Sequence, residues 1–281
     1  MNLPRIANLA YWAVFVTVFL LAAIGESQRP VTALKIPAEK RWTVHGILFI
    51  ISVALTGLIL RTTPVLLAIS VSGREHALLN RAWIPLAAQW LIAILVLDFT
   101  RYAAHRTMHS VNFLWRIHEI HHSDRDYDVS TAVRFHPIEV LLTEGVTLGV
   151  IWLLAPPPAS VLAAVLLSIA ENVLAHANIS LPARMEAFVR RLLITPDSHR
   201  LHHSCDSRDY NRNFGQTFPW WDQMFGTWAV KPAGSTIQTG VPAIATAEMS
   251  GGLPHLLLEP FRSRPDVATS DAATSIATGR K

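Results

Sequence analysis

HRTMHSVNFLWRIHEIHH, residues 105–122, places five histidines in one short stretch. His105 and His109 are spaced i, i+4, and His118, His121 and His122 are spaced i, i+3, i+4. On a helix both spacings bring the side chains to one face. HRLHH, residues 199–203, repeats the second spacing with His199, His202 and His203. His136 and His176 stand alone between these motifs. Protonated together, close imidazoles repel; neutral, each needs its hydrogen bonds satisfied. A divalent metal removes the conflict by binding the neutral lone pairs. His45, His76 and His255 lie outside any cluster and read as surface or hydrogen-bonded core residues.

One coordination sphere cannot use all ten imidazoles, because a tetrahedral zinc takes four. Two metals with four or five imidazoles each would use nearly all. Imidazole suits zinc, copper, iron and nickel, so ligand type does not choose among them. The single cysteine, Cys205, excludes an internal disulfide and a zinc site built on several thiolates.

The rest of the chain is oily. Of its 281 residues 51% are hydrophobic and 16% charged, against about a quarter charged in ordinary soluble domains. That composition indicates a membrane protein. Crossing the hydrocarbon core takes roughly 17–25 apolar residues. Candidate spans are Ile6–Ile24, Thr43–Leu60, Ala82–Leu97, Val140–Leu154 and Ser160–Leu174. The last two flank APPPA and read as a helical hairpin with a proline tip. With only Arg5 ahead of it, the first apolar run reads as a retained span rather than a cleaved signal.

Three basic segments, Glu26–Arg41, Arg101–Arg134 and Arg184–Arg212, alternate correctly with the spans if all are cytoplasmic. The N-terminus then lies outside and Arg61–Arg81 is an external connection. The net charge of +4 fits loops against anionic lipid rather than nucleic acid. The expected fold is an all-α, polytopic membrane bundle with a histidine-rich di-metal helical cap on the cytoplasmic side. Residues 1–97 form N-terminal membrane helices, and 98–230 form the catalytic region with its membrane hairpin at 138–176. Residues 231–281 form an interfacial segment, GLPHLLLEPF, and a disordered tail from Ser263.

Acids near the histidines are candidate orienting groups, since a carboxylate accepting from the far ring nitrogen fixes a ligand's direction. Asp98 lies two turns before His105, and Asp124, Asp128 and Glu139 flank the central motifs. Glu144 and Glu171 sit inside the hairpin arms, where an acid is a functional candidate by default.

The boxes His105-x3-His109, His118-x2-His121-His122 and His199-x2-His202-His203 resemble those of the fatty acid hydroxylase/sterol desaturase superfamily. So do membrane helices between the second and third boxes, and LWRIHEIHHSDRDYDVSTAVRFHPIE, TPDSHRLHHS, NFG at Asn213 and WDQMFGT from Trp221. The likeness runs from about Leu97 to Trp228, and these phrases look like those of bacterial sterol-desaturase-like members. The resemblance implies two iron ions held by the eight boxed histidines, with His176 and His136 as further ligands. Zinc could take the same ligands in a purified form. It also implies oxidation of a lipid by O2, with electrons from a ferredoxin or b-type cytochrome and its reductase, in a bacterial inner membrane. Two other readings remain at this stage. His118-Glu119-x-x-His122 partly matches a metal-dependent hydrolase, and a metal transporter or sensor would line a path with histidines.

Overall fold

The computed structural model describes residues 2–74, 77–241 and 252–262. Among these the chain is helical, and its strand-like pairing is an isolated bridge between Ser204 and Thr239. In order come α1 (Leu3–Gln28), α2 (Ala38–Leu60), α3 (Pro64–Val71), α4 (Leu86–Ser110) and α5 (Asn112–His122). They are followed by α6 (Pro137–Leu154), α7 (Pro158–Ala175), α8 (Ala183–Val189) and α9 (Pro196–His202). Two short helices, α10 (Ser207–Tyr210) and α11 (Trp220–Met224), lie beyond. The sequence expectations for His76 and for the tail from Ser263 fall outside the described residues.

By length and composition, α1, α4, α6, α7 and the stretch Ala38–Val71 can each cross a membrane. Leu9, Leu20, Ile50, Leu58, Leu91 and Leu153 point outward from this bundle and are exposed in the chain alone. Inside, small residues dominate the contacts: Ala7, Ala68 and Ala164 are buried with Leu97, Ile151 and Val161. Lipid tails are as apolar as leucine, so such helices associate through close packing rather than through exclusion of water. The hairpin arms each run 18 residues, about 27 Å of helix. They are therefore nearly full spans, longer than their apolar stretches suggest. Ala155, in the left-handed region at φ 45°, ends α6, and Pro158 opens α7.

The connection expected from Arg61 to Arg81 is partly helical. Arg61, at φ 54°, turns the chain out of α2, and the Thr63 side chain caps α3. Val65, Ala68 and Val71 are buried, and α3 packs on both hairpin arms. Apolar residues between two polar ends gave this segment no reason to stay a loop.

The C-terminal end of α4, all of α5, the N-terminus of α6 and the C-terminus of α7 meet at one end of the bundle. There α9 and the 3-10 turn Val129–Val133 complete a cap. Residues 252–258 are helical, as GLPHLLLEPF suggests, and Leu256 packs against Leu48 and Ile120.

Candidate metal centre

Local sequence aims each histidine helix. α9 opens on a capping box in which Thr195 and Ser198 satisfy each other's backbone N–H groups, with Pro196 in the first turn. That fixes the phase of His199 and His202. His118, His121 and His122 occupy the last two turns of α5, and all are buried.

Nine histidines gather into two groups. His105, His109, His118, His122 and His202 form one; His121, His176, His199 and His203 form the other. Within each group the candidate ligand nitrogens all lie within 4.8 Å of one another. The i, i+3, i+4 spacing splits both triple boxes between the groups. His118 and His122 go one way and His121 the other, while His199 and His203 join His121 and His202 crosses over.

Hydrogen bonds settle which ring nitrogen faces inward. Carbonyls only accept, so a nitrogen bonded to one must carry the proton. His105 Nδ1–H donates to the Phe214 carbonyl (2.8 Å), His176 Nδ1–H to Asn172 (2.6 Å) and His202 Nδ1–H to Arg212 (2.6 Å). His121 Nδ1–H reaches the Arg134 carbonyl at 3.3 Å. His118 Nδ1 lies 2.6 Å from Glu139 Oε1. In a neutral ring the other nitrogen, Nε2, then presents a lone pair. Yet His202 Nε2 lies 2.9 Å from His105 Nε2, and His176 Nε2 lies 3.1 Å from His121 Nε2. Two lone pairs at that range repel unless a cation lies between them. His203, fully buried, has neither ring nitrogen hydrogen-bonded. This donor set fits bound metal.

Burial disfavours the charged form of six of these rings. Burial lowers His176 to about 4 and His202 to about 3. Burial first, and neighbouring histidines second, hold His121, His122, His199 and His203 well below the ordinary imidazole range. Folded values below the unfolded one mean that the unfolded chain binds more protons. The metal-free protein should therefore keep its full stability above about pH 6.5 and lose it as pH falls toward these values, by roughly 1.4 kcal/mol per unit for each such histidine. Thermal unfolding of chelator-treated protein in micelles should show a midpoint flat above neutrality and falling below it. A midpoint indifferent to acid would mean the rings are not buried neutral.

The acids divide. Glu139 orients His118 as its position suggested. Asp124 and Asp128 instead grip Arg41, at 2.6 and 2.5 Å. Against burial, which works the other way, the charges of Arg41, His45 and Arg134 hold the Asp124 carboxyl below the usual carboxylate range. Asp98 touches no histidine: it accepts from Trp221 Nε1 (2.8 Å) and the Thr217 amide (3.2 Å). It thereby holds the loop whose Phe214 carbonyl receives His105. Glu171 is buried in α7, and Glu144 lines a cavity. His136 lies outside both groups. Its Nδ1 accepts from the Ile138 amide at the start of α6, and its Nε2 meets the Leu257 carbonyl at 3.2 Å.

That cavity, about 600 Å³, opens from His105, His118, His121, His176 and His199. It runs between α1, α2, α4, α6 and α7 to Pro4 and Thr63 near the opposite end. Its size is that of a small-molecule site.

Residues 90–227, which hold all nine gathered histidines, match the fatty acid hydroxylase family. Ornithine lipid hydroxylase OlsE of Rhizobium tropici is 29% identical over 177 residues, 63% of this chain and 51% of that protein. Alkylglycerol monooxygenase of Homo sapiens is 32% identical over 139 residues, 49% of this chain and 30% of that one. Methylsterol monooxygenase 2-2 of Arabidopsis thaliana is 28% identical over 146 residues, 52% and 54% of the two chains. Across residues 90–227 the chain is therefore a fatty acid hydroxylase/sterol desaturase superfamily sequence. It aligns with about half, or less, of the length of these relatives. No solved structure matches it.

The family motif NFG now has a structural reason. Asn213 adopts φ 54°, and its side chain bonds the Ser198 and Ala229 carbonyls. A Cβ on Gly215 would come within 2.7 Å of the Phe218 carbonyl and 2.9 Å of Asp222 Oδ2. Asp222 accepts from the Phe214 and Gly215 amides. These residues shape the carbonyl that orients His105, a role the motif's resemblance could flag but not explain. Arg41, 64 residues before His105, carried no sequence signal for its place behind the second box.

Proposed function

We propose that this protein is a membrane-bound non-haem di-iron oxidoreductase that hydroxylates or desaturates a lipid with O2 and externally supplied electrons. Hydroxylation is the favoured outcome, because the relatives are named as hydroxylases and monooxygenases acting on lipids. The observation that carries the reading is the pair of all-imidazole groups opening onto an apolar cavity. His105, His109, His118, His122 and His202 would hold one iron, and His121, His176, His199 and His203 the other. Bound iron would supply the redox chemistry that reduces O2 and breaks an unactivated C–H bond.

The chain's own residues do the rest. Carbonyls and Glu139 lock the rings with Nε2 inward. Neutral imidazoles leave the cations' charge uncompensated, unlike the carboxylate-rich shells of ferritin-like sites. The cavity admits a hydrocarbon and keeps bulk water from the reacting carbon. In hydroxylation one oxygen atom enters the C–H bond, and the other leaves as water with two electrons and two protons. Exposed Arg125, Arg184, Arg191 and Arg212 at the histidine end suit an acidic electron carrier. The same basic residues favour a cytoplasmic cap, in a bacterial inner membrane.

The gathering of the imidazoles at one end favours an enzyme over a transporter, whose histidines would follow a path. Two separate groups favour it over a single-metal hydrolase. Lipid mass spectrometry of cells with and without the gene, grown under 18O2, tests the reading. Labelled hydroxylated lipid is expected. Loss of two hydrogens without label would indicate desaturation, and an unchanged lipid profile would remove the proposal.

A further inference from the structure

Deep in the cavity three polar side chains from three helices come together: Tyr11 of α1, Arg101 of α4 and Glu144 of α6. Arg101 and Glu144 interact through space with each other and with Tyr11. Among the described residues, none of the three side chains makes a hydrogen bond or a salt bridge within 4 Å, and the charges of Arg101 and Glu144 act on each other from farther away. All three line the cavity. Ionisable groups within a membrane bundle are costly and are kept where they meet something polar. Here Arg101 and Glu144 are offered each other's charge at a distance, and no hydrogen bond.

Helix geometry fixes their depth. Arg101 precedes His105 by one turn on α4, which runs toward the cap, so it lies about 6 Å farther into the bundle. Glu144 follows Glu139, the partner of His118, by five residues on α6, which runs away from the cap; that is about 7.5 Å in the same direction. Beyond them the walls are mostly apolar, with Phe49, Val53, Val65 and Leu162, and carry Asn8 and Thr56 as isolated polar side chains. Leu162 lies fourteen residues from His176 on α7, roughly 21 Å from the histidine end.

We propose that Tyr11, Arg101 and Glu144 bind an uncharged hydroxyl-type group of the lipid, its oxygen accepting from Arg101 and its hydrogen donated to Glu144. The apolar remainder fills the far part of the cavity, and the carbon presented to the histidines lies within a few bonds of that polar group. Charge complementarity selects the class. A lone carboxylate or phosphate would meet Glu144, and a lone ammonium would meet Arg101, whereas a hydroxyl can satisfy both without bringing further charge into the bundle. The remote end of the chain is then the least accessible position for oxidation. This regiochemistry rests on the oxidase reading; the binding preference does not.

The test uses the full chain with its metal in detergent micelles. Hexadecan-1-ol, hexadecane, hexadecanoate and hexadecylammonium compete against tritiated hexadecan-1-ol. The alcohol should compete about tenfold better than the hydrocarbon and better than either charged chain. Tyr11→Phe and Glu144→Gln keep size and shape, so they separate binding from folding. Each should cut the preference for alcohol over hydrocarbon to about threefold or less, with metal content and hexadecane binding unchanged. Equal binding of alcohol and hydrocarbon, tighter binding of a charged chain, or an intact preference in both variants would each overturn the proposal. Alcohol preference without any lipid oxidation would leave this site standing and sink the oxidase instead.

Discussion

His121→Ala should lower lipid oxidation at least about 100-fold, the upper end of what loss of a ligand's outer hydrogen-bond partner alone costs. His121 sits on α5 with its ring stacked on Phe135, centroids 4.2 Å apart, and its Nε2 aimed at His176. Removing it leaves three imidazoles in the smaller group. Alanine leaves no buried charge behind, so the fold should survive. His136→Ala provides the contrast. That ring caps α6 and belongs to neither group. Its loss should cost about 1 kcal/mol of stability while metal content holds. Oxidation assays and metal analysis on both proteins check the pair. Full activity in His121→Ala, or loss of metal in His136→Ala, would show that the ligands are wrongly assigned.

Arg41→Ala should destabilise the fold by about 3–5 kcal/mol, the usual cost of removing one partner from a buried ion pair. Arg41 bridges Asp124 and Asp128, and all three side chains are at most 4% exposed. Thr131 Oγ1 also donates to Asp124 (2.7 Å), and Asp128 caps the Val129–Val133 turn. Without the guanidinium, two buried carboxylates face each other directly behind His121 and His122. Because the Asp124 carboxyl is held low, its contribution is present above the unfolded carboxylate range and lost only in strong acid. The loss in Arg41→Ala should therefore be similar at pH 6 and pH 8. Adding Asp124→Asn and Asp128→Asn should recover part of it. Denaturation in micelles provides the measurement; a loss under about 1 kcal/mol would mean the network is not what anchors α5 to α2.

Much of the site was readable because its signal is local. The i, i+4 and i, i+3, i+4 spacings need only the helix period to put rings on one face. The count of imidazoles pointed to two groups of four or five. Glu139 was findable because it lies near the second box and carries the chemistry to orient an imidazole. What stayed hidden depends on contacts between distant segments. Arg41 reaches Asp124 across 83 residues, and charge counting had placed it among loop residues marking orientation. Asp98 shares a helical face with His105 by spacing, but its carboxylate turns to Trp221, 123 residues on. α3 lies within the stretch Arg61–Arg81 that was expected as an external connection, and its eight residues are too few to span a membrane. Once packed on the hairpin they are long enough to close the far end. His136 was expected as a ligand from the resemblance, and its hydrogen bonds, invisible in the sequence, make it the cap of α6.

The central claim is that nine imidazoles in groups of five and four hold a pair of iron ions. Elemental analysis of the full chain, purified from iron-supplied cells without chelator, tests it most directly. The account predicts two irons per chain, and fewer in His121→Ala. A protein that holds at most one transition-metal ion while both groups remain intact would contradict it.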